Sequence, residues 1–469
     1  MSRRLISLLR RPLVAATAAL TLISCAPQAS GVAERRVVPT MQLPAMKTFG
    51  HTRTEGSVRP NAQIAADFLE LSFKMESGRA LPRLTRFEGP VTIGVRGAAP
   101  ASLTGDLTRL VSRFRNEAGL DIRFASAGET PNIVVQVLSR KELQRYVPQA
   151  ACFVVPRVSS WAEFKADRRG QIVDWTTLER RERAAVFLPG DVSPQETRDC
   201  LHEEIAQALG PLNDLYRLPE SVFNDDNFHT VLTGFDMLIL KAYYDPALAN
   251  GMSREQVAAR LPAILARLNP AGNRPVGRLE SETPREWTEQ IERAVGPRTS
   301  PRARSAAAKR AVAIADANRW TDSRRAYSLY ALGRLSLNSE PELALAAFLE
   351  SSAIYRSRPE TAIQAAHVAM QLAAYSLSAG RPDTAIEMVD ESLPAVAAAE
   401  NAALLSTLML IKAEALDAKG QAARAAALRS DALGWARYGF GPDGEVRARL
   451  LEISTLNPGE PLTVRGPQG

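Results

Sequence analysis

The chain has 469 residues and a formal net charge of +7, with 58 lysine and arginine side chains against 51 aspartate and glutamate side chains. The basic side chains are interspersed with acids, as in residues 178–183, and form no basic stripe with interleaved aromatic residues. Composition and charge therefore argue against a nucleic-acid partner, and we expect none. The sequence also has no phosphate-binding glycine loop, no paired CxxC motif and no Ser-His-Asp arrangement that we can place.

The first 25 residues have the features of a lipoprotein signal peptide. Residues 1–11 contain four arginines and no acid, residues 12–22 are mostly apolar, and Leu22-Ile23-Ser24-Cys25 closes the segment. This closing motif resembles the bacterial lipobox, which implies that Cys25 is diacylated and anchors the mature protein to a membrane. The apolar run is about half as long as a membrane span needs to be.

The residues after Cys25 predict an exported protein with a flexible tether. In well-studied bacterial envelopes, a residue other than aspartate after the lipidated cysteine directs a lipoprotein to the outer membrane, and this chain has Ala26 there. We therefore expect a periplasmic lipoprotein anchored to the outer membrane. Loss of the signal peptide and its four arginines changes the formal charge from +7 to +3. Residues 26–58 are rich in Pro, Gly, Arg and Thr without sustained periodicity, which predicts a tether.

Residues 59–271 show alternating helix and strand patterns, which predict an α+β domain. Helical spacing occurs over Asn61–Glu76 and Gly105–Ala118, and strand-like or apolar runs occur over Val91–Val95, Asp121–Phe124, Asn132–Leu138, Ala151–Val155 and Ala184–Leu188. Near the end of the domain, Ser253 and Gln256 form a capping box that opens a helix ending near Asn269. Pro262 is expected to kink or split this helix.

The most strongly marked helix runs from Pro194 to just before Gly210. Ser193 can cap it, Pro194 suits the first helical position, and Glu196 can reach back to the amide of the cap. Gly210 can take a positive φ, and the proline after it prevents the helix from continuing. We therefore expect a helix of ordinary length with a defined beginning and end.

This central helix is expected to have two chemically different arcs. At about 100° per residue, one arc is apolar and the other is polar. The apolar arc contains Leu201, Ile205, Ala208 and Leu209, and the polar arc contains Cys200, Glu203, Glu204 and Gln207. The pattern predicts a helix that buries one side and presents carboxylates and an amide on the other.

In one register, the central helix and the residues after it resemble the zinc motif of metzincin peptidases, H-E-x-x-H-x-x-G-x-x-H. With Gly210 as the turning glycine, the corresponding run is E-E-x-x-Q-x-x-G-x-x-N. The metal-ligand positions then hold Glu203, Gln207 and Asn213, and the general-base position holds Glu204. The resemblance implies a zincin-like α+β domain with an inherited cleft.

Further segments widen the resemblance. Ser221-Val222-Phe223 lies where a metzincin has its methionine turn, and residues 232–236 with 242–244 resemble the helix that follows it. The pattern from Asp67 to Met252 also resembles a family of uncharacterised bacterial envelope proteins defined by a domain of unknown function. This resemblance covers roughly residues 60 to 270.

The replaced ligand residues weaken the case for zinc. Zinc favours imidazole nitrogen and thiolate, and an open catalytic site needs about three protein ligands. Gln207 and Asn213 offer neutral amide oxygens, so only Glu203 is a credible zinc ligand. His202 points about 100° away from Glu203 along the helix, and His229 is expected to be a partly exposed loop residue. We expect no cofactor, with zinc as the open alternative.

Three interpretations of these polar side chains stay open. They can form a hydrogen-bonded cluster that lines a cleft, together with Asp214. They can bind a harder cation through oxygen atoms, with Asp225 or Asp226 contributing. They can also form an atypical peptidase site, in which Glu204 acts as the general base on a metal-bound water.

The cysteine count agrees with export. The chain has three cysteines, and lipidation of Cys25 leaves Cys152 and Cys200 as an even pair in an oxidising compartment. A bridge between them would tie the strand-like segment at Cys152 to the polar arc of the central helix, and could contribute about 3 to 4 kcal/mol. Two free buried thiols are the alternative.

The C-terminal half is predicted to be helical. Residues 272–301 are expected to form a connector with one helix, and residues 457–469 a tail. Residues 302–456 are dominated by Ala, Leu, Arg and Glu, and three similar segments recur about every forty residues after turns at Asn338, Gly380 and Gly420. This spacing suggests stacked helix pairs that resemble tetratricopeptide repeats, with a non-repeating bundle as the alternative.

Helix pairs of this type form a concave groove that suits a peptide or a partner helix, so we expect a protein partner here. Small residues at Gly333, Ala374 and Ala415 are consistent with close helix crossings. The aromatic side chains Trp320, Tyr327 and Tyr330 can belong to an anchoring surface, although aromatics at helical spacing are more often part of a core.

These features together predict a lipid-anchored periplasmic adaptor or binding protein. Its metzincin-like domain has lost the catalytic metal, and its helical repeats bind proteins. The alternatives are an active metallopeptidase with atypical ligands and Glu204 as general base, and a purely structural envelope lipoprotein.

Overall fold

A computed structural model describes residues 42–50, 56–57, 59–276, 279–296 and 299–457. The predicted signal peptide with Cys25 lies outside these residues, as do most of the predicted tether and tail. The strands are β1 (Val91–Arg96), β2 (Ile122–Phe124), β3 (Ile133–Leu138), β4 (Phe153–Pro156) and β5 (Ala184–Pro189).

The helices fall into two groups along the chain. The first group is α1 (Asn61–Phe73), α2 (Ala101–Asn116), α3 (Arg140–Tyr146), α4 (Trp161–Asp167), α5 (Pro194–Leu209), α6 (Gly234–Tyr243) and α7 (Arg254–Leu268). The second group is α8 (Arg285–Val295), α9 (Pro301–Ala317), α10 (Ser323–Ser336), α11 (Pro341–Arg356), α12 (Ala362–Ser378), α13 (Pro382–Ala398), α14 (Ala402–Ala418), α15 (Ala422–Phe440) and α16 (Asp443–Ser454).

The five strands form one mixed sheet in the order β2-β1-β3-β5-β4. The first four strands in this order are parallel, and β4 runs antiparallel to β5 at the edge. All six residues of β5 are buried, because helices cover both faces of the sheet. The predicted α+β architecture is therefore confirmed at this level, and each predicted strand or apolar run corresponds to a strand.

Helices pack on both faces of the sheet. The larger core cluster joins the sheet to α1, α2, α5, α6 and α7. A smaller cluster on the other face joins Phe187 of β5 to Trp161 and Phe164 of α4. The sequence analysis missed α3 and α4, because each has only seven residues and is too short to show helical periodicity.

Three predicted helix features need correction. The first helix ends at Phe73, three residues earlier than predicted, and α2 begins at Ala101. The structure does not split the helix at Pro262, which lies inside the continuous α7. Pro262 is exposed, whereas Leu261 and Ile264 on either side of it are buried. Packing of this apolar face holds the helix together across the proline.

The second group of helices is arranged in successive pairs. The first helices of three pairs, α10, α12 and α14, begin about forty residues apart, and each is followed closely by its partner. The turns at Gly380 and Gly420 use positive φ values of 69° and 72°. Gly333 lets α10 and α11 approach closely, because a Cβ atom there would lie 2.7 Å from the Phe348 ring. The spacing and this crossing were both predicted.

A loop between α5 and α6, residues 213–230, packs against the second group of helices. The Phe228 ring lies 5.7 Å from Tyr327 and 5.4 Å from Tyr330 of α10, and 4.7 Å from His367 of α12. Gln364 of α12 donates a hydrogen bond to the Pro219 carbonyl at 2.6 Å. Part of the face formed by the first helices of the pairs is therefore occupied by this loop.

The three aromatic residues that were considered for an anchoring surface belong instead to a core. Trp320, Tyr327 and Tyr330 are 5–7% exposed. Tyr327 stacks on Tyr216 of the loop with ring centroids 6.0 Å apart, and Trp320 packs edge-on against Trp287 of α8. These rings therefore belong to the core that joins the two groups of helices.

A segment of the predicted tether, residues 42–50, lies against α15. The Lys47 amide donates to the Gly434 carbonyl at 2.9 Å, and the Phe49 ring stacks on Trp435 at 4.5 Å. Arg437 donates to the Pro44 carbonyl at 2.9 Å. Across the described part of the chain, no helix combines the length and the apolar character that a membrane span requires.

Candidate functional site

The central helix α5 begins as its sequence predicts. The Ser193 hydroxyl accepts a hydrogen bond from the Glu196 amide at 3.1 Å, and Pro194 occupies the first turn. The Glu196 carboxylate does not reach back to the cap as predicted, because it pairs with Arg140 at the start of α3. The helix covers 16 residues and ends at Leu209.

The end of α5 is held by a residue that the sequence analysis missed. Arg181 is 4% exposed, and its guanidinium donates to the carbonyls of Gln207 at 2.5 Å, Ala208 at 2.7 Å and Gly210. It also lies over the Trp175 ring, 4.9 Å from its centroid. A cation at this position satisfies the free carbonyls of the last turn and complements the helix dipole.

Gly210 does not have the role of a left-handed turning residue that was predicted for it. Its φ is −156°, so Gly210 does not take the positive φ that was predicted. A Cβ atom at this position would lie 3.2 Å from the Tyr243 ring of α6. Glycine is therefore suited to the close approach of α6 rather than to a left-handed turn.

The polar arc of α5 is buried rather than presented to solvent. Cys200, Glu204 and Gln207 are buried and Glu203 is half-buried, so the prediction of one exposed side is wrong. Strand β4 and the loop 213–230 cover this arc. A disulfide joins Cys152, beside β4, to Cys200, with the two Cα atoms 6.0 Å apart, as the cysteine count predicted.

A cleft that consists of three adjoining cavities lies beside the covered polar arc of α5. The first cavity, about 720 Å³, is lined by Asn213 and Asp214; the central cavity, about 500 Å³, by Glu203, Glu204 and Gln207. Glu76 and Asp225 line both of these cavities. The outer cavity, about 660 Å³, adjoins the central one and lies between α5 and the second group of helices.

The structure brings some of the predicted site residues together and separates others. Glu203, Glu204 and Gln207 share the central cavity, whereas Asn213 lies in the first cavity and donates its amide to the Glu70 carbonyl at 3.2 Å. Asp226 lines none of the three cavities, and its carboxylate instead accepts the Phe228 amide at 3.1 Å. The motif therefore does not gather its three ligand positions around one point.

The central cavity of the cleft contains several acids and, among the described residues, no counter-charge. The central cavity is lined by four carboxylates and by no described lysine, arginine or histidine; these acids are Glu76, Glu203, Glu204 and Asp225. Glu204 is 5% exposed, and one of its carboxylate oxygens has no hydrogen-bond partner. Both carboxylate oxygens of Asp214 in the first cavity are likewise buried without a partner.

This environment favours the neutral forms of the acids. Burial, reinforced by the charges of Asp225 and Glu76, raises the pKa of Glu203 to about 8. Burial next to Glu203 also raises the pKa of Glu204 well above its usual range. For Asp225, burial and the charge of Glu76 raise the pKa to about 6. At neutral pH the cleft must therefore hold protons or bind a cation.

Comparison with known families gives one match. Residues 61–263 match the family model described as "Protein of unknown function (DUF2927)". A DUF2927 domain therefore occupies this part of the chain, which includes the sheet, α5 and the cleft. No curated protein and no solved structure was found to match the chain. The predicted resemblance to a domain of unknown function is confirmed, and the metzincin-like and tetratricopeptide-like resemblances stay predictions.

Among the described residues, the histidines of the DUF2927 domain form no group of three metal ligands with Glu203, although His229 and Glu203 both line the outer cavity. His202 is buried, and its Nδ1 atom accepts the Leu232 amide at 3.1 Å, which holds the loop to α5. His229 lines the outer cavity with His367 of α12. Burial lowers the pKa of His229 to about 4 and that of His367 to about 3, so both imidazoles are neutral at pH 7.

The residues at the motif positions do not fit a catalytic zinc ion. Two of the three are neutral amides, whose oxygens are weak zinc donors, and one of these amides, Asn213, lines a different cavity from Glu203 and Gln207. Within the described ranges, no group of three or more His, Cys, Asp or Glu side chains is placed to hold a metal ion.

Proposed function

We propose that this chain is a lipid-anchored binding protein or adaptor of the bacterial envelope, whose metzincin-like cleft holds a polypeptide segment without cleaving it. The observation that carries the proposal is the donor set of the cleft. Glu203, Gln207 and Asn213 replace the three histidines that the peptidase motif requires, and they are divided between two cavities. A site of this kind can recognise hydrogen-bond donors, but it lacks the ligands that activate a water molecule on zinc.

The shape of the cleft supports a polypeptide ligand. Three adjoining cavities form the cleft, two of them along α5, and the smallest has a volume of about 500 Å³. Residues 149–154 form the opposite wall of the central cavity and lead into β4, the edge strand of the sheet. An edge strand has backbone groups that can pair with an extended peptide, while the adjacent pockets select its side chains.

The second group of helices contributes to the same cleft in this proposal. Tyr330 of α10, His367 of α12 and Leu404 of α14 line the outer cavity opposite the DUF2927 domain. These helices resemble tetratricopeptide repeats in their pairing and spacing, which is typical of protein-binding modules. We propose that the protein partner contacts both the cleft and the surfaces of these helices that the loop 213–230 leaves open.

The proposed location rests on the signal-peptide features alone. A lipidated Cys25 would attach the protein to a membrane. Ala26 at the next position would direct it to the outer membrane, by the sorting rule of well-studied bacterial envelopes. The disulfide between Cys152 and Cys200 is consistent with an oxidising compartment such as the periplasm.

Peptide binding can be tested with a steric block in the cleft. Ser77 is exposed and lines both the first and central cavities. We expect a library of extended peptides, panned against the purified protein, to yield binders that the Ser77→Trp variant no longer retains. The matched control is Glu387→Trp on the exposed face of α13, which should bind normally. Equal retention by both variants would place the bound peptides outside the cleft and contradict this proposal, whereas no binders at all would support the alternative of a structural lipoprotein.

Metal analysis separates binding from catalysis. We expect the protein, purified without chelators and dialysed, to retain no stoichiometric zinc. One zinc ion per chain that disappears in Glu203→Ala would instead support the metallopeptidase alternative. That alternative also requires Glu204→Gln to abolish peptide cleavage while the fold, measured by circular dichroism, stays intact.

A further inference from the structure

We infer that the central cavity, at the place where a metzincin would hold its metal, accepts the guanidinium group of an arginine side chain on the bound polypeptide. This inference rests on the proposed function and names the chemistry that the cleft selects. It concerns the cavity lined by Glu203, Glu204 and Gln207.

The first step is that the cavity is built for a positive charge. Four carboxylates line it, and no described basic side chain does. Asp67 of the DUF2927 domain, which is fully buried, pairs with Arg59 and Arg217 at 2.7 Å each. Glu204 is nearly as deeply buried, yet one of its oxygens has no partner at all. Unlike Asp67, Glu204 therefore has an unsatisfied oxygen beside a cavity that no described cation lines.

The second step is that the cation is organic rather than a metal ion. Metal binding needs several donors at about 2.0 to 2.6 Å from one point. Among the residues that the structure describes, no three His, Cys, Asp or Glu side chains are grouped in this way. A cavity of about 500 Å³ with acceptors on several walls suits a larger cation that carries several hydrogen-bond donors.

The third step favours arginine over lysine. A guanidinium has five N–H donors in a fixed plane, so it can reach separate acceptors at once, whereas an ammonium acts as a compact point charge. Gln207 adds a neutral amide oxygen, which is a poor zinc ligand but a good acceptor for N–H. The cavity wall also includes the Phe153 and Trp175 rings. Trp175 already has the Arg181 guanidinium over its ring, 4.9 Å from the centroid.

The test compares peptides that differ at one position. Four alanine-serine nonapeptides, acetylated and amidated at their ends, carry arginine, lysine, citrulline or glutamate at the centre, and their affinities are measured by isothermal titration calorimetry. Citrulline has nearly the shape of arginine without its charge. We expect the arginine peptide to bind at least about tenfold more tightly than the citrulline peptide, the loss typical of one charge-assisted hydrogen bond, with lysine between them.

Isosteric variants locate the effect. Glu203→Gln and Glu204→Gln preserve side-chain volume, and together they should reduce the preference for arginine over citrulline to less than about threefold. Glu387→Gln, on the exposed face of α13, should leave the preference unchanged.

The possible failures are distinguishable. Binding of all four peptides with equal affinity, or an arginine preference that survives the double glutamine substitution, would overturn this inference and leave peptide binding intact. Displacement of the arginine peptide by micromolar zinc or calcium, with loss of this displacement in the double variant, would identify a metal site and also overturn it. Failure of every peptide to bind, together with the absence of library binders, would overturn the proposed function itself.

Discussion

Two buried carboxylates of the DUF2927 domain, those of Asp67 and Glu204, have different surroundings. Asp67 on α1 is fully buried and paired with Arg59 and Arg217, and it also accepts a hydrogen bond from Gln63 at 3.2 Å. Glu204 on α5 is 5% exposed, and no cation lines its cavity. The chain thus provides counter-charges where an acid joins α1 to the loop 213–230, whereas no described cation lines the central cavity beside Glu204.

This difference separates an acid that supports the fold from acids that are available to a ligand. A buried charge without a partner is destabilising, so unpaired buried acids are better explained by ligand binding than by stability. The comparison predicts opposite effects on stability when the acid is removed at the two sites.

The largest effect is expected at the paired site. Asp67→Ala would leave Arg59 and Arg217 buried without their common partner, and we expect it to lower the free energy of unfolding by about 3 to 5 kcal/mol. Urea denaturation at pH 7, followed by circular dichroism, measures this loss. Glu204→Gln under the same conditions should be neutral or stabilising. A loss of similar size in both variants would show that the two sites do not differ as proposed.

The next effect concerns the disulfide that ties Cys152, in the wall of the central cavity, to α5. Replacing both Cys152 and Cys200 with serine should lower the free energy of unfolding by about 3 to 4 kcal/mol, the contribution of a bridge that spans 48 residues. Denaturation curves with and without reductant provide the measurement. The wild-type protein should become less stable in reductant, whereas the double variant should not change.

The smallest expected effect is a pH dependence of stability that arises from Glu203 in the central cavity. Because burial raises the pKa of Glu203 from 4.5 to about 8, its contribution to stability is present at low pH and is lost as pH rises through 8. Glu203→Gln should therefore gain stability relative to wild type between pH 5 and pH 9, by about 1 to 3 kcal/mol. Thermal melts at pH 5, 7 and 9 measure the gain. A constant difference at all three values would contradict it, and exposed Glu387→Gln should show none.

Features with local causes could be predicted from the sequence. The capping serine and first-turn proline fixed the start of α5, and apolar runs located the five strands. The two glycines with positive φ marked turns between paired helices, and the even cysteine count indicated the disulfide. The three acidic and amide residues of the polar arc were also recognised as neighbours, since helix geometry alone places them on one side.

Features that depend on distant parts of the chain could not be predicted. Arg181 lies in a stretch of mixed charge, and nothing local indicates that it is buried beneath the end of α5. The burial of the polar arc depends on β4 and on the loop 213–230 folding over it. The position of Asn213 in a separate cavity depends on its bond to Glu70, which is 143 residues away. Helical periodicity describes one element and cannot show what covers it.

The contact between residues 42–50 and α15 has a mechanical consequence. If the proposed anchor at Cys25 were pulled by movement of the membrane, tension would first reach the protein where Phe49 stacks on Trp435 and where the Lys47 amide meets Gly434. Helix α15 would bear that load together with α5, because the Arg198 guanidinium of α5 lies 5.7 Å from the centroid of the Phe49 ring. A pull on the anchor would thus be transmitted to the helix that carries the acidic pocket.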